Sequence, residues 1–117
     1  MKGFPDALEH ISKEIKKYRE MKTLDGEKLT STLQQITGTL FYLEKERANY
    51  HAKWQTIVHK LVLEGSSVSR AENQAHVEVP EMYLLRRIMD SAYEVVGAIR
   101  SNISWLKNER NISNYGG

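Results

Sequence analysis

The sequence predicts an all-α protein: a short N-terminal helix followed by a long antiparallel helical hairpin of coiled-coil character, assembled as an oligomer. Three observations predict it. Residues 26–64 carry one helical apolar stripe, and residues 80–110 carry a second. The segment between them holds Gly65, which suits a helix stop, and Pro80, which suits a helix start. At 117 residues the chain forms one domain.

The first helix is marked by Pro5, which suits a first turn because its missing N–H is not needed there. Leu8, Ile11, Ile15 and Tyr18 follow at spacings of 3, 4 and 3, the period of one helix face. Lys13, Glu14, Lys16, Lys17, Arg19 and Glu20 form the opposite face. The spacing predicts an amphipathic helix over 5–22. Its acids and bases nearly balance, so its outer face reads as solvated. Thr23-Leu24-Asp25-Gly26 is a turn, with Asp25 placed to cap the next helix.

That next helix is the clearest element. Leu29, Leu33, Ile36, Leu40, Leu43, Arg47, Tyr50, Trp54, Ile57 and Leu61 alternate steps of 4 and 3, with Arg47 the one break. A helix over 26–64 is about 58 Å long at 1.5 Å per residue, and it needs a partner to bury its stripe. Met82, Leu85, Met89, Ala92, Val96, Ile99, Ile103 and Leu106 repeat the rhythm. They predict an antiparallel helix over 80–110. In the connection, 65–79, the register resumes near Val68 and passes through Ala71 and Ala75. Two outcomes fit: a short helix at 68–76 that breaks before Pro80, or one kinked helix. Residues 111–117 lack the period, end in two glycines, and are expected to fray.

If the hairpin turns across the whole of 64–80, Trp105 faces Gly38. Trp54 then faces Asp90-Ser91-Ala92, and Arg47 faces Gly97. Bulky residues would meet small ones, which would give two helix-weakening glycines a packing role. Leu84-Leu85, Val95-Val96, Val58 and Val62 widen the stripes beyond one seam. A helix apolar on two faces needs two neighbours, so hairpins are expected to pack side by side as a homo-oligomer. The seam is assigned to Leu40, Leu43, Tyr50, Trp54, Ile57, Leu61, Leu85, Met89, Val96, Ile99, Ile103 and Leu106.

Composition narrows function. There are no cysteines, so disulfides and zinc–thiolate sites are excluded and a reducing, cytoplasmic setting is expected. No apolar run is long enough to span a membrane, and no signal core precedes the first helix. Asn102-Ile-Ser and Asn111-Ile-Ser match the glycosylation sequon, and without such a signal they read as chance. His10, His51, His59 and His76 are scattered, with no HxxxH or ExxH spacing and no glycine-rich phosphate loop. No enzyme, metal or cofactor is therefore expected. The net charge of +2 is small, but an oligomer multiplies any local basic patch. Lys53, His59, Lys60, Arg70, Arg86 and Arg87 lie near the expected tip, interleaved with Glu64, Glu72, Glu78 and Glu81. They read either as a salt-bridged solvated surface or as a patch that contacts nucleic-acid phosphates.

From Leu29 to Arg110 the chain resembles the UvsY-like recombination mediators of phages. The resemblance rests on Leu43-Glu44-Lys45-Glu46-Arg47-Ala48 in the long helix and on His59-Lys60-Leu61-Val62-Leu63-Glu64-Gly65-Ser66 at the turn. A polar segment with Arg70 and Ala75 follows. Ser91-Ala92-Tyr93-Glu94-Val95-Val96-Gly97-Ala98-Ile99-Arg100-Ser101 and Ile103-Ser104-Trp105-Leu106 complete the layout. The resemblance implies a non-enzymatic, ring-like homo-oligomer in the host cytoplasm. It would bind single-stranded DNA and help load a RecA-type recombinase onto strands covered by a single-strand-binding protein. The family's basic run before the glycine turn corresponds to His59 and Lys60, with Lys53 nearby. The run here is less basic, because Val62, Leu63 and Glu64 carry no positive charge. The other expectation is a helical protein-interaction module (adaptor, scaffold or inhibitor) that binds no nucleic acid.

Overall fold

A computed structural model describes residues 3–116, with side chains through residue 109. It contains α1 (Phe4–Arg19), α2 (Gly26–Leu63), α3 (Val68–Glu78) and α4 (Glu81–Gly116), and no strand among the described residues. The molecule measures 73 × 28 × 20 Å, with a radius of gyration of 19.8 Å. A compact chain of this length has a radius of about 13 Å, so this one is a rod.

Each helix end has a local cause. Gly3, at φ 125°, lies outside the helix, and Pro5 sits in the first turn of α1. Lys16, Lys17 and Arg19 face the negative end of the α1 dipole. The Asp25 carboxylate accepts from the N–H groups of Glu27 (2.9 Å) and Lys28 (3.2 Å), which caps α2. At the far end Gly65 takes φ 103°, a left-handed conformation natural to glycine. There the Ser66 N–H donates to the Leu61 carbonyl (3.0 Å) and the Gly65 N–H to that of Val62 (3.1 Å). This pair is a Schellman closure. Ser67 then caps α3, its hydroxyl accepting from the Arg70 N–H at 3.2 Å.

The chain thus reverses within Glu64–Ser67, and α3 lies back along α2. The short helix expected at 68–76 exists and runs to Glu78, with a break at Val79-Pro80. Pro80 is therefore part-way down the second limb, not at the tip. The register inferred from a turn spanning 64–80 is displaced accordingly. Trp54 meets His76, with 5.6 Å between ring centroids, and not Asp90-Ser91-Ala92. Arg47 shares a groove with Met89, Asp90 and Tyr93, and not with Gly97. Leu106 shares one with Thr30 and Gln34, so Trp105 lies below Gly38 and is 55% exposed. Apart from each glycine's own stretch of helix, no described atom lies within 4 Å of a Cβ built on Gly38 or Gly97, so neither glycine has the packing role expected of it.

The lower rod is a three-helix bundle, because α1 packs on both α2 and α4. Its core joins Ala7, Ile11 and Ile15 to Leu29, Ile36, Leu40 and Leu43, and to Leu85, Met89, Ala92, Val95, Val96 and Ile99. Thr39 is buried among them without leaving an orphan, because its hydroxyl donates to the Gln35 carbonyl at 2.8 Å. The breadth of the α4 stripe has an explanation within the chain: Val95 and Val96 are both covered because α4 has two neighbours. At its termini the second limb is longer, and the first helix shorter, than the periodicity suggests. Helix α1 stops at Arg19, and α4 continues through Gly116 where fraying was expected. Between Arg110 and Gly116 no proline or glycine intervenes, and each added residue gains a hydrogen bond without a new nucleation cost. Gly117 lies outside the described residues.

Candidate interaction surfaces

Two surfaces follow from where α1 sits. The first is the part of the hairpin that α1 does not reach. Phe4, the first residue of α1, packs its ring on Tyr50, with centroids 5.5 Å apart. Above that level α2 continues for more than three turns, to Leu63, with α4 beside it only as far as His51 and α3 beyond. The buried residues of α3 are Ala71 and Ala75, whose short side chains cover little. The α2 stripe therefore loses its cover along its length. Leu29, Ile36 and Leu43 are fully buried, whereas Tyr50, Trp54, Ile57 and Leu61 are half-buried. Near the turn Val62 is 38% exposed, Leu63 79% and Val68 57%. We call residues 51–78 the arm.

Trp54 is the largest side chain in the arm. Its ring stacks on His51, with centroids 5.8 Å apart and planes 16° from parallel, and is tilted against His76. Its buried indole N–H has no acceptor among the described residues. Such an orphan donor costs about 1–3 kcal/mol, which an apolar neighbour alone does not offset.

The six expected cationic positions are spread along the rod. His59 and Lys60 line one open groove on the arm with Trp54, Val58, Glu64 and Glu72. Lys53, two turns below Lys60 on the same side of α2, does not line that groove, and its ammonium lies 5.2 Å from the centroid of the Tyr50 ring. Arg70 is exposed in the first turn of α3. Arg86 lines a groove between α2 and α4 with Arg47, His51 and Asp90. Arg87 lines a different one, between α1 and α4. Arg86 is nineteen positions beyond Ser67, roughly 28 Å at a helical rise, because α3 intervenes. Of the six, the fold gathers His59 and Lys60 into one groove and leaves the others apart.

The α1/α4 groove is the second surface, and the sequence reading did not find it. Lys16, Arg19 and Arg87 line it together with Glu20 and Tyr83, over Ile15, Leu84 and Ile88. Arg19 donates from Nη2 to the Ser91 hydroxyl at 3.3 Å, which directs its side chain towards α4. The Arg87 guanidinium lies 5.7 Å from the centroid of the Tyr83 ring, which is largely exposed. Lys16 approaches Glu20 at 3.9 Å, and both are so exposed that the pair is worth little. The breadth of the α4 stripe at Leu84 and Ile88 was the available signal. It called for a second neighbour, and α1 was the nearest one.

Comparison with protein-family models, with curated proteins and with solved structures returns no match. The surfaces must therefore be read from their own chemistry.

Among the described residues no group of three or more His, Asp and Glu side chains is placed to hold a metal ion, and no helix is long and apolar enough to cross a membrane. The perturbed titratable groups are tyrosines. The Tyr93 hydroxyl donates to Glu44, and that bond, followed by burial, raises its pKa above the ordinary value. Burial first, then the charge of Glu46, raises Tyr42. Burial first, then Glu81 and Glu46, raises Tyr50. All three shifts hold the hydroxyl protonated, as a donor to a nearby carboxylate or as a packing group.

Proposed function

We propose that the chain works by binding and not by catalysis, as a helical protein-interaction module whose contact surface is the arm. The observation that carries this is the α2 stripe that continues past the end of α1, with Trp54, Ile57 and Leu61 half-covered and Val62, Leu63 and Val68 exposed. Exposed apolar side chains grouped at one end of a helical pair suit a partner that completes the bundle. The test is affinity purification of the tagged chain beside a Leu63→Glu/Val68→Glu twin of equal helix content. A partner held by the first and lost from the second supports the reading. Identical partner sets from both sink it.

A second reading has its own support. Lys16, Arg19 and Arg87 share a groove with the exposed ring of Tyr83, the combination of cations and stacking face that single-stranded nucleic acid uses. The groove supports single-stranded-DNA binding, and the resemblance to UvsY-like mediators, whose basic run falls at His59 and Lys60, extends that reading to an oligomer that helps load a RecA-type recombinase. Fluorescence anisotropy with an unstructured oligonucleotide at low and moderate salt tests it. Binding should fall steeply with salt and weaken in Lys16→Ala/Arg87→Ala. No binding at low salt removes this reading and leaves the first untouched.

A further inference from the structure

We infer that a second copy of this chain supplies the missing neighbour of the arm, so that two arms pair about a two-fold axis as a four-helix bundle. The inference rests on reading the arm as a contact surface, and it names the partner.

Two features of the arm point to a copy of itself, and a third sets how tightly the copies would hold. The first is continuity. The stripe buried by α1 up to Tyr50 is the same stripe left half-covered at Trp54, Ile57 and Leu61, so the empty position is that of one more helix. A hairpin of two helices reaches bundle-like burial by pairing with another such hairpin.

The second is charge. Residues 51–63 contain Lys53 and Lys60 and no carboxylate, a formal +2 with histidines neutral. Residues 64–78 contain Glu64, Glu72 and Glu78 against Arg70, a formal −2. A two-fold axis that lays the α2 segment of one arm beside α3 of the other matches opposite signs twice, because each contact recurs in an isologous interface. A partner of one sign would satisfy only half of the arm.

The third is size. The α2 segment of the arm is about 20 Å long at 1.5 Å per residue, and two helices are about 20 Å wide. That gives on the order of 400 Å² per copy, below the usual area of a stable complex. The dimer is therefore weak, with dissociation on the order of micromolar, and forms and separates with protein concentration.

The experiment is sedimentation velocity on the full chain from about 1 to 200 μM, a range that brackets such a constant. The expected result is a monomer at the low end and a dimer at the high end. Two charge-reversed variants follow, Lys53→Glu/Lys60→Glu and Glu72→Lys/Glu78→Lys, each checked for helix content by circular dichroism. Each alone should raise the dissociation constant about tenfold or more, since every rim pair becomes a like-charge pair. An equimolar mixture of the two should dimerise as the unmodified chain does, because opposite signs again face each other. A chain monomeric throughout the range overturns the inference without any variant. So does a mixture of folded variants that stays monomeric. A monomer that still captures a different protein through Leu63 and Val68 overturns the self-pairing and keeps the arm as a contact surface. A folded Leu63→Glu/Val68→Glu chain that dimerises as tightly as the unmodified one overturns both.

Discussion

Replacing Gly38 and Gly97 with alanine is expected to stabilise the protein. Both glycines lie inside helices, Gly38 in α2 and Gly97 in α4, and both are exposed. Glycine in a helix interior costs about 0.8–1.0 kcal/mol relative to alanine, because it loses more backbone freedom on folding. A substitution recovers that amount only where the new methyl group meets nothing. A Cβ at either position meets no described atom within 4 Å outside its own stretch of helix, so neither gain is offset by a clash. The double variant should therefore gain about 1.5–2 kcal/mol. For a domain of this size that is a rise in Tm of roughly 5–12 °C. Urea unfolding followed by circular dichroism measures it, with an unchanged m-value showing that the same surface is exposed. The register with Trp105 over Gly38 and Arg47 over Gly97 predicts the opposite sign, because the methyl would strike a bulky side chain. A double variant no more stable than the parent refutes the packing described above.

Three further outcomes are expected. Leu43→Ala, at a fully buried position, should cost about 2–5 kcal/mol in urea unfolding, while Leu63→Ala, on the exposed end of α2, should stay within about 0.5 kcal/mol. Asp25→Ala and Ser67→Ala each remove a cap and should each cost about 1 kcal/mol of helix stability. The first should lower global stability, and the second should speed amide exchange in α3 ahead of the rest. Tyr93 should titrate above the ordinary tyrosine value in a difference-absorbance scan, because its hydroxyl donates to Glu44. Its contribution to stability is complete below the unfolded pKa near 10 and is lost as pH rises through the higher folded value. Tyr93→Phe should therefore flatten the alkaline limb of the stability curve, and an unaltered limb would refute the assignment.

Helix type and the three main helices were legible because the periods are long and well punctuated, while the short helix between them stayed one of two outcomes. Asp25 and Gly65 do what their chemistry suggests, and Leu29, Ile36, Leu40, Leu43, Leu85, Met89, Val96 and Ile99 are core. The turn was misplaced because Pro80 is a stronger sequence mark than Ser66-Ser67. A Schellman closure is written in backbone hydrogen bonds, and Ser67 has a capping role only once Gly65 has turned the chain. The error carried over to the cations: with the turn spread over 64–80, Arg86 and Arg87 seemed adjacent to Lys60, and α3 in fact separates them. The α1/α4 groove was not legible because Lys16 and Arg19 look like any solvated face until α1 is docked.

The break at Val79-Pro80 has a consequence for how the rod comes apart. The Val79 N–H still bonds the Ala75 carbonyl at 2.8 Å, but Pro80 has no N–H to pass the ladder on, and it resumes with Met82 bonded to Val79 at 3.3 Å. The second limb is therefore two segments in series, and the one above the break has only alanines buried beneath it. Such a rod is expected to melt as two foldons. The α3 segment and the end of α2 that it covers open at a free energy well below that of the whole, while Leu29–Leu43 and Leu85–Ile99 open only with global unfolding. In native-state hydrogen exchange the boundary between slow and fast amides should fall at Tyr50 on one limb and at Pro80 on the other. Anything that binds the upper segment would then close that gap, making a rod of two cooperative units behave as one.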